Sequence, residues 1–502
     1  MSLYLFNSIT AKLERFDHDK QVPVKWYTCG PTIYSSAHLG HARTFISFDI
    51  LRRVMTYLGY NIIYVMNITN IDDKIINKVK ELSLSEQIDN DVYMNFISKM
   101  EAEFWSDMDK LNNMRPTIVT RVTDYIDKIK EYIEQMENND LTYCVNNTVY
   151  VDSEKYLEKG YNWDIFGRSV ISEYTECEFS SEKKNNADFS LWKAAKLGEI
   201  KFSSKWGDGR PSWHIECSAM SNDILGKSID IHSGGIDLIY PHHNNEIIQS
   251  ISHENCNDIP IKYFLHSGHL NINGEKMAKS LGNFITINHF LENVGTMRQL
   301  RLLFALHTWN KPMDFTDDVL NEIRLIEKRI IDFYANMEHI MRVGQKIITK
   351  YTKDDSEYLE FIIKTKQQIE IALLSNIDTR TVINLILNAI STTYKYSEND
   401  YNVTFVTDMV NHITKIFDVL GISFLLDTKN EHASDKIIDI VVDFREDIRT
   451  IIKKNIKDIP KIVTKDIFKV LDDVRHNKLK TNGIVIEDFG IDKKNKWTKQ
   501  YS

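Results

Sequence analysis

The chain has 502 residues, 42% of them hydrophobic and 26% charged, an ordinary globular composition whose length suits about three domains. No apolar run approaches the ~20 residues that span a bilayer, and the first residues, "MSLYLFNSITAKLERF", lack a basic flank before a long apolar core, so no signal peptide and no membrane span are expected. The net charge of −9 does not mark a nucleic-acid binder, yet residues 449–502 carry +7 against −16 for the rest, which suits either a basic surface facing a polyanion or a lysine-rich solvated tail.

In chain order, "VPVKWYTC" (22–29) is a short β-rich run that stops at the turn signal "GPT". "AHLGHARTFISFDILRRVMTYLGY" (37–60) has apolar residues at helical spacing and ends at Gly59, and "NIIYVMNIT" (61–69) is again β-branched and apolar. Strand, helix, strand over so short a span predicts a βαβ unit of a parallel sheet. Residues 115–190 change character: "DYIDKIKEYIEQMENND" is a charged helix and "YCVNNTVYVD" a hairpin, which reads as an insertion into the sheet domain. "SIDIHSGGIDLIY" (228–240) predicts a later strand and a glycine turn, then a helix, and "IKYFLHSGHLNINGEKMAKS" (261–280) a strand, hairpin and loop. From 297 to 448 the pattern is helical with little Gly or Pro, as in a bundle, and 449–502 is short, basic and mixed. The expected organisation is α/β: a catalytic domain from 1–114 and 191–296, the insertion 115–190, the helical bundle 297–448 and the basic C-terminal region 449–502.

Three stretches carry chemistry. "HLGH" (38–41) opens a helix directly after a strand and turn, where unpaired backbone N–H groups and the helix dipole favour phosphate. His38 and His41 can add donors there, and Gly40 leaves room for a flat base against the backbone. "GEKMAKSLGN" (274–283) puts Lys276, Lys279 and Ser280 on a glycine-flanked loop, suited to charge building on a triphosphate. In "IYPHHNNEII" (239–248), His242 and Glu246 are four apart and share a helix face; they could be half of a metal site or a hydrogen-bonded surface pair, and His243 at three from Glu246 is the competing candidate. The five cysteines are dispersed, with no CxxC, as in a reducing cytoplasm.

HLGH and KMAKS resemble the HIGH and KMSKS signatures of class I aminoacyl-tRNA synthetases, with Leu39 for Ile and Ala278 for the Ser often found there. "YTCGPTIY", "NITNIDDKI", "GRPSWHIECSAM", "DIHSGGIDLIYPHHNNEIIQS" and "GEKMAKSLGNF" are similar to the cysteinyl-tRNA synthetase family in particular. The resemblance is dense from Leu5 to about Phe315, looser through the helical region, and returns at "NGIVIEDFGIDKKNKW" (482–497). It implies a Rossmann-type catalytic domain and an enzyme that joins L-cysteine to tRNA(Cys) at the expense of ATP, with Mg2+ accompanying the ATP. It also implies one zinc ion held by Cys29, Cys217, His242 and Glu246. Thr32, His38, Gly40 and His41 would bind ATP, joined by Lys276, Met277, Ala278, Lys279 and Ser280 of the second signature. Gly30, Thr69, Trp213, His232, Gly235 and Asp237 would line the amino-acid and adenylate pocket, with His232 approaching the substrate carboxylate or its adenylate. Trp497, set among lysines, is the candidate to stack on an unpaired tRNA base, and a cytoplasmic monomer is expected. A relative that joins cysteine to an amino-sugar shares the signatures and the zinc but resembles only the catalytic part.

Overall fold

The computed structural model describes residues 2–83, 88–167, 182–277, 283–343, 351–398, 401–424, 432–455, 460–480, 484–487 and 496–499. The chain forms two compact units. One comprises Met1–Asn321, Glu370–Val382 and Val419–Gly421; the other comprises Glu322–Ile369, Ile383–Asp418 and Ile422–Ser502.

The first unit opens on a hairpin of β1 (Tyr4–Asn7) and β2 (Lys12–Arg15), then β3 (Val24–Thr28), α1 (Leu39–Tyr57), β4 (Ile62–Ile68), α2 (Asp73–Ser83), α3 (Asn90–Lys110), β5 (Ile118–Arg121) and α4 (Ile126–Asn138). β6 (Thr142–Val145), β7 (Thr148–Val151), α5 (Ser153–Glu158), β8 (Ser190–Ala194) and β9 (Gly209–Pro211) follow; the four strands make an antiparallel sheet in that order. Then come α6 (Trp213–Leu225), β10 (Ile229–Gly235), α7 (Asn244–Glu254), β11 (Ile261–Ser267), β12 (Leu270–Ile272), β13 (Glu275–Lys276), α8 (Ile287–Asn293), α9 (Met297–Ala305) and β14 (Met313–Phe315).

The central sheet is all parallel, in the order β11-β10-β3-β4-β5. The predicted βαβ unit is β3-α1-β4. The short strand β5, which falls in the span expected for the insertion, pairs with β4. Because the chain adds strands on one side of β3 and later on the other, the order reverses between β3 and β10, and a cleft opens beyond their carboxyl ends. Strand alternation sorts the residues. Trp26 and Thr28 bond Ser233 Oγ at 2.8 and 2.6 Å on one face, while Tyr27 lies on the other, with the core that includes α6 and α7 residues.

The second unit is mainly helical. It holds most of α10 (Asp317–Val343) and α11 (Lys353–Leu374), with α12 (Thr379–Ser397) and α13 (Val403–Val419), then α14 (His432–Lys454), α15 (Lys461–Asp473) and the antiparallel pair β15 (Ile484–Glu487) and β16 (Lys496–Lys499). Val442, Ile484 and Ile486 form a small apolar cluster of their own. Among the described residues no helix is long and apolar enough to cross a membrane.

Candidate metal centre and nucleotide cleft

Cys29 follows β3 directly, and its N–H donates to Ser233 O on β10 at 3.0 Å, so the switch point of the sheet delivers it into the core beneath the cleft. Cys217 sits on the buried face of α6, and Glu246 on the first turn of α7. The stretch Ile239–His243 precedes α7 with a kink at the extended Tyr240 (φ −136°, ψ 134°), after which His242 lies one turn before Glu246. Cys29 Sγ lies 3.6 Å from Cys217 Sγ, 3.4 Å from His242 Nε2 and 3.5 Å from Glu246 Oε1, and His242 Nε2 is 2.9 Å from Glu246 Oε1. The edges of a tetrahedron around zinc with ordinary Zn–N, Zn–O and Zn–S bonds are about 3.3–3.8 Å. All four residues are buried, and their donor atoms lie within 4.8 Å of one another. Two sulfurs, an imidazole and a carboxylate suit zinc by donor type and by spacing.

A second set, Cys29, His232, His243 and Glu246, meets the same limit. His232 is fully buried and its ring faces the cluster, with Nε2 3.3 Å from Glu246 Oε2 and 3.5 Å from Cys29 Sγ.

The electrostatics call for positive charge at the centre. Burial works against the cation of His242, yet Glu246 and Cys217 outweigh it and raise the imidazole to about 10. Burial likewise opposes ionisation of Cys217, but hydrogen bonding from Cys29 and the neighbouring His242 bring the thiol down to about 6. Burial pushes Cys29 up. Burial also opposes the Glu246 anion, and His232 and His242 overcome it and hold the carboxyl well below its usual range.

A second ring of side chains orients this cluster. His242 Nδ1 is 2.8 Å from His214 Nδ1, and the half-exposed Trp213 stacks on the His242 ring at 4.4 Å and 20°. With Nε2 turned to the cluster, His242 Nδ1–H is the donor and His214 the acceptor. His243 Nδ1 is 2.7 Å from His266 Nε2. His214 precedes Cys217 by three residues on one helix face, a signal available in "SWHIEC" but passed over. His266 carries no such local signal.

The nucleotide side is built on the start of α1. His38 is its N-cap: Nδ1 accepts from the N–H of Gly40 at 3.1 Å and of His41 at 3.4 Å, and His41 Nδ1 accepts from the N–H of His38 at 3.4 Å. The two rings stack 3.8 Å apart at 20°. Burial and the adjacent His38 push His41 down to about 3, so it is neutral at physiological pH. Since both Nδ1 atoms accept, each ring carries a proton on Nε2 as a donor. The two signature stretches meet here. A Cβ on Gly40 would come 3.3 Å from the Met277 methyl, Leu39 N–H donates to Ile285 O at 3.0 Å, and Phe284 packs edge-on against His38 at 5.0 Å. Lys276 is exposed in β13; Ala278, Lys279 and Ser280 lie outside the described residues.

Between these sites, Thr32 and Thr69 are bridged by backbone, with Ile33 N–H to Thr69 O at 3.2 Å and Thr69 N–H to Pro31 O at 3.1 Å. Gly30 N–H donates to Asn67 Oδ1 at 2.7 Å, and a Cβ at Gly30 would strike the Asn67 carbonyl, so only glycine fits. Asn67 Nδ2 donates to Thr69 Oγ1 at 3.2 Å, which donates to Glu216 Oε2 at 3.1 Å. Burial raises the Glu216 carboxyl well above its usual range. Neither Asn67 nor Glu216 has a sequence pattern that marks it. Gly235 ends β10, and the Asp237 carboxylate fills the place a Cβ at Gly235 would need. Trp497 lies in β16 opposite Ile486; its side chain is outside the described residues.

Residues 15–325 match the family model of the tRNA synthetases class I (C) catalytic domain. The chain is 41% identical to a cysteine–tRNA ligase of Encephalitozoon cuniculi over 90% of this chain and 92% of that protein. It is 35% identical to a cytoplasmic cysteine–tRNA ligase of Dictyostelium discoideum over 97% of this chain and 76% of that protein. Among solved structures, a methionyl-tRNA synthetase of Mycobacterium tuberculosis with methionyl-adenylate superposes with a TM-score of 0.56 at 13% identity, over 84% of this chain and 94% of that one, a likeness of fold.

Proposed function

The chain belongs to the cysteine–tRNA ligases of the class I aminoacyl-tRNA synthetases, and from that premise we propose which of its residues carry the reaction. The protein is a ligase that activates L-cysteine with ATP and transfers the cysteinyl group to tRNA. An oxygen of the cysteine carboxylate attacks the α-phosphorus, the bond to pyrophosphate breaks, and cysteinyl-adenylate forms. The terminal adenosine hydroxyl of the tRNA then attacks the carbonyl carbon and AMP leaves.

Cys29, Cys217, His242 and Glu246 would hold one zinc ion, which would supply a borderline-soft Lewis acid that favours a substrate thiolate over a serine hydroxyl. An apolar pocket alone separates a hydroxyl analogue by only about 10²-fold, so the metal removes the need for an editing step. The observation that carries this reading is the buried, converging donor set of two thiols, one imidazole and one carboxylate. Thr69, Gly30 and Trp213 line the cysteine pocket, with Gly235 and Asp237 at the adenosine. His232 flanks the metal. His38 and His41 donate from Nε2 to ATP phosphates, Gly40 admits the base, and Thr32 borders the same cleft. Lys276 and Lys279, in the loop with Met277, Ala278 and Ser280, meet the charge that builds on the phosphates, with Mg2+ entering on the ATP. Positioning and charge stabilisation suffice, without a covalent enzyme intermediate.

The helical region and the basic segment 449–502, including Trp497, would hold the tRNA beyond its acceptor end. Several curated relatives are named as cytoplasmic forms, which supports that compartment, and a monomer is the proposed state. ATP–pyrophosphate exchange with cysteine against serine, before and after removal of zinc, tests the reading. Exchange that is cysteine-specific only with metal is expected; equal discrimination after metal removal would overturn the role given to the metal.

A further inference from the structure

Tyr27 and Cys29 are two apart along one strand and its extension, so their side chains leave the same face of the sheet. Tyr27 is fully buried, in the same apolar cluster as Cys29 and Cys217. Its ring stacks on His232, centroids 5.3 Å apart at 28°. Its hydroxyl is buried and makes no hydrogen bond. An orphaned buried hydroxyl destabilises a fold, so a tyrosine here, where phenylalanine would pack as well, asks for an acceptor.

Resting on the zinc reading above, the need for an acceptor becomes specific. Two thiolates, a carboxylate and a neutral imidazole around a divalent ion leave a net charge of −1, and a substrate thiolate would add another. Charge of that sign buried among apolar side chains is stabilised by hydrogen-bond donors. We propose that Tyr27 is a positioning residue of the metal centre, its O–H donating to a cysteine thiolate of the set when zinc is held and taking up part of the negative charge that the site retains. It acts from the same sheet face as Cys29, through the metal ligands and not on the substrate.

Tyr27→Phe tests this, because it removes one oxygen and keeps the ring that stacks on His232. In the zinc-stripped protein the variant should melt at the wild-type temperature or above it, since an unpaired hydroxyl is gone. Its affinity for zinc, measured by chelator competition, should nevertheless fall by about 10-fold or more. In the Co(II)-substituted protein its thiolate-to-metal charge-transfer bands should move to lower energy, because a thiolate without a donor gives up an electron more readily. In the wild type, zinc loading should give a tyrosine ultraviolet difference spectrum that Tyr27→Phe lacks, a readout that stands even if the variant folds poorly. Unchanged affinity and unchanged bands, or a stripped-protein melting temperature that falls together with affinity, would overturn the proposal while leaving the zinc centre intact. A wild type that takes up no zinc, or whose Co(II) form lacks thiolate bands, would instead overturn the zinc reading itself.

Discussion

Glu246 divides its carboxylate between two histidines: Oε1 lies 2.9 Å from His242 Nε2, and Oε2 3.3 Å from His232 Nε2. The grouping on the His242 side brings in both cysteines, whereas the grouping with His232 and His243 has only Cys29. Zinc prefers thiolate donors, so donor chemistry selects the first. His242→Ala should therefore purify without zinc and without cysteine activation, and His243→Ala should keep close to one zinc per chain by elemental analysis. Full zinc in His242→Ala together with its loss from His243→Ala would move the ion to the other grouping.

His38 does two jobs with its two ring nitrogens. Nδ1 caps α1 through the N–H groups of Gly40 and His41, which leaves the ring proton on Nε2. Asparagine is a good N-cap but cannot reach as far as an imidazole. His38→Asn should keep the melting temperature within a few degrees and lower the pyrophosphate-exchange rate by about 10²–10³-fold, as for loss of one donor to developing charge. A collapse in stability with normal exchange per folded molecule would show that capping is the whole of its role.

The elements that the sequence makes legible are those with a local period. β3, α1 and β4 follow from alternation and helical spacing over 22–69, and the Asn146–Asn147 turn between β6 and β7 from its composition. β5 has four residues between helices and no alternation to read, yet it completes the sheet. Of the candidate metal set, His242 and Glu246 show in their spacing, whereas Cys29 and Cys217 show only through the motifs, because they are 188 residues apart and nothing local says that they touch. The same limit hid the Asn67–Thr69–Glu216 chain, whose meaning depends on α6 packing beside the β4–α2 turn. His214 was different: its spacing from Cys217 was visible, but its role needed the His242 contact to give it sense.

Asp107 gives a pH dependence away from the candidate metal centre. Burial raises its carboxyl from 3.8 to about 6, with Lys110 opposing and Glu103 adding to the rise. Its carboxylate oxygens are buried without a well-formed hydrogen bond, Lys110 Nζ stands 3.8 Å away, and Lys110 and Asn288 only partly offset the burial. A folded-state value above the unfolded one favours the protonated acid, so this contribution to stability is present at low pH and is lost as pH rises through about 6. Asp107→Asn keeps the shape without the charge. It should be more stable than wild type at pH 7.5 by on the order of 1 kcal/mol after solvent screening, with the difference vanishing towards pH 4. Denaturant titrations at the two pH values measure it, and a constant difference would refute the assignment.

Arg301 of α9 is fully buried and ties four segments of the first unit together. It donates to Asp49 Oδ2 on α1 at 2.5 Å, to Leu111 O at 2.9 Å, to Asn113 Oδ1 at 3.1 Å and to Leu420 O at 2.8 Å. Gly421, at φ 70°, has no room for a Cβ beside the guanidinium. Removing one partner of such a pair leaves a buried charge, so Arg301→Ala should cost about 3–5 kcal/mol. Arg301→Lys should recover only part of it, since an ammonium cannot span the same fork. Asp49 also accepts from Arg53 Nε at 2.7 Å and from Met114 N–H at 2.8 Å, so Arg301→Met, which keeps most of the volume, should lose less than Arg301→Ala, and a loss below about 1 kcal/mol in Arg301→Ala would refute the tie.

The basic C-terminal segment can be separated from the chemistry. Residues 449–502 carry +7 while the rest of the chain is acidic, so a tRNA backbone has its most favourable landing surface there. The cut cannot be made at residue 449, because α14 runs from His432 to Lys454 and Arg445 Nε donates to Leu471 O at 3.0 Å. Val442 also packs with Ile484 and Ile486. Truncation after Phe424 removes these elements whole, while the zinc candidates and the α1 terminus all lie before residue 250. The shortened enzyme should make cysteinyl-adenylate at close to the wild-type rate. Its KM for tRNA should rise at least 10-fold, and the salt dependence of charging should become shallower as fewer phosphates are neutralised. Normal exchange with an unchanged tRNA KM would exclude the segment as a tRNA-binding surface, and a KM that rises with the salt slope intact would point to apolar or base contacts instead of phosphate contacts.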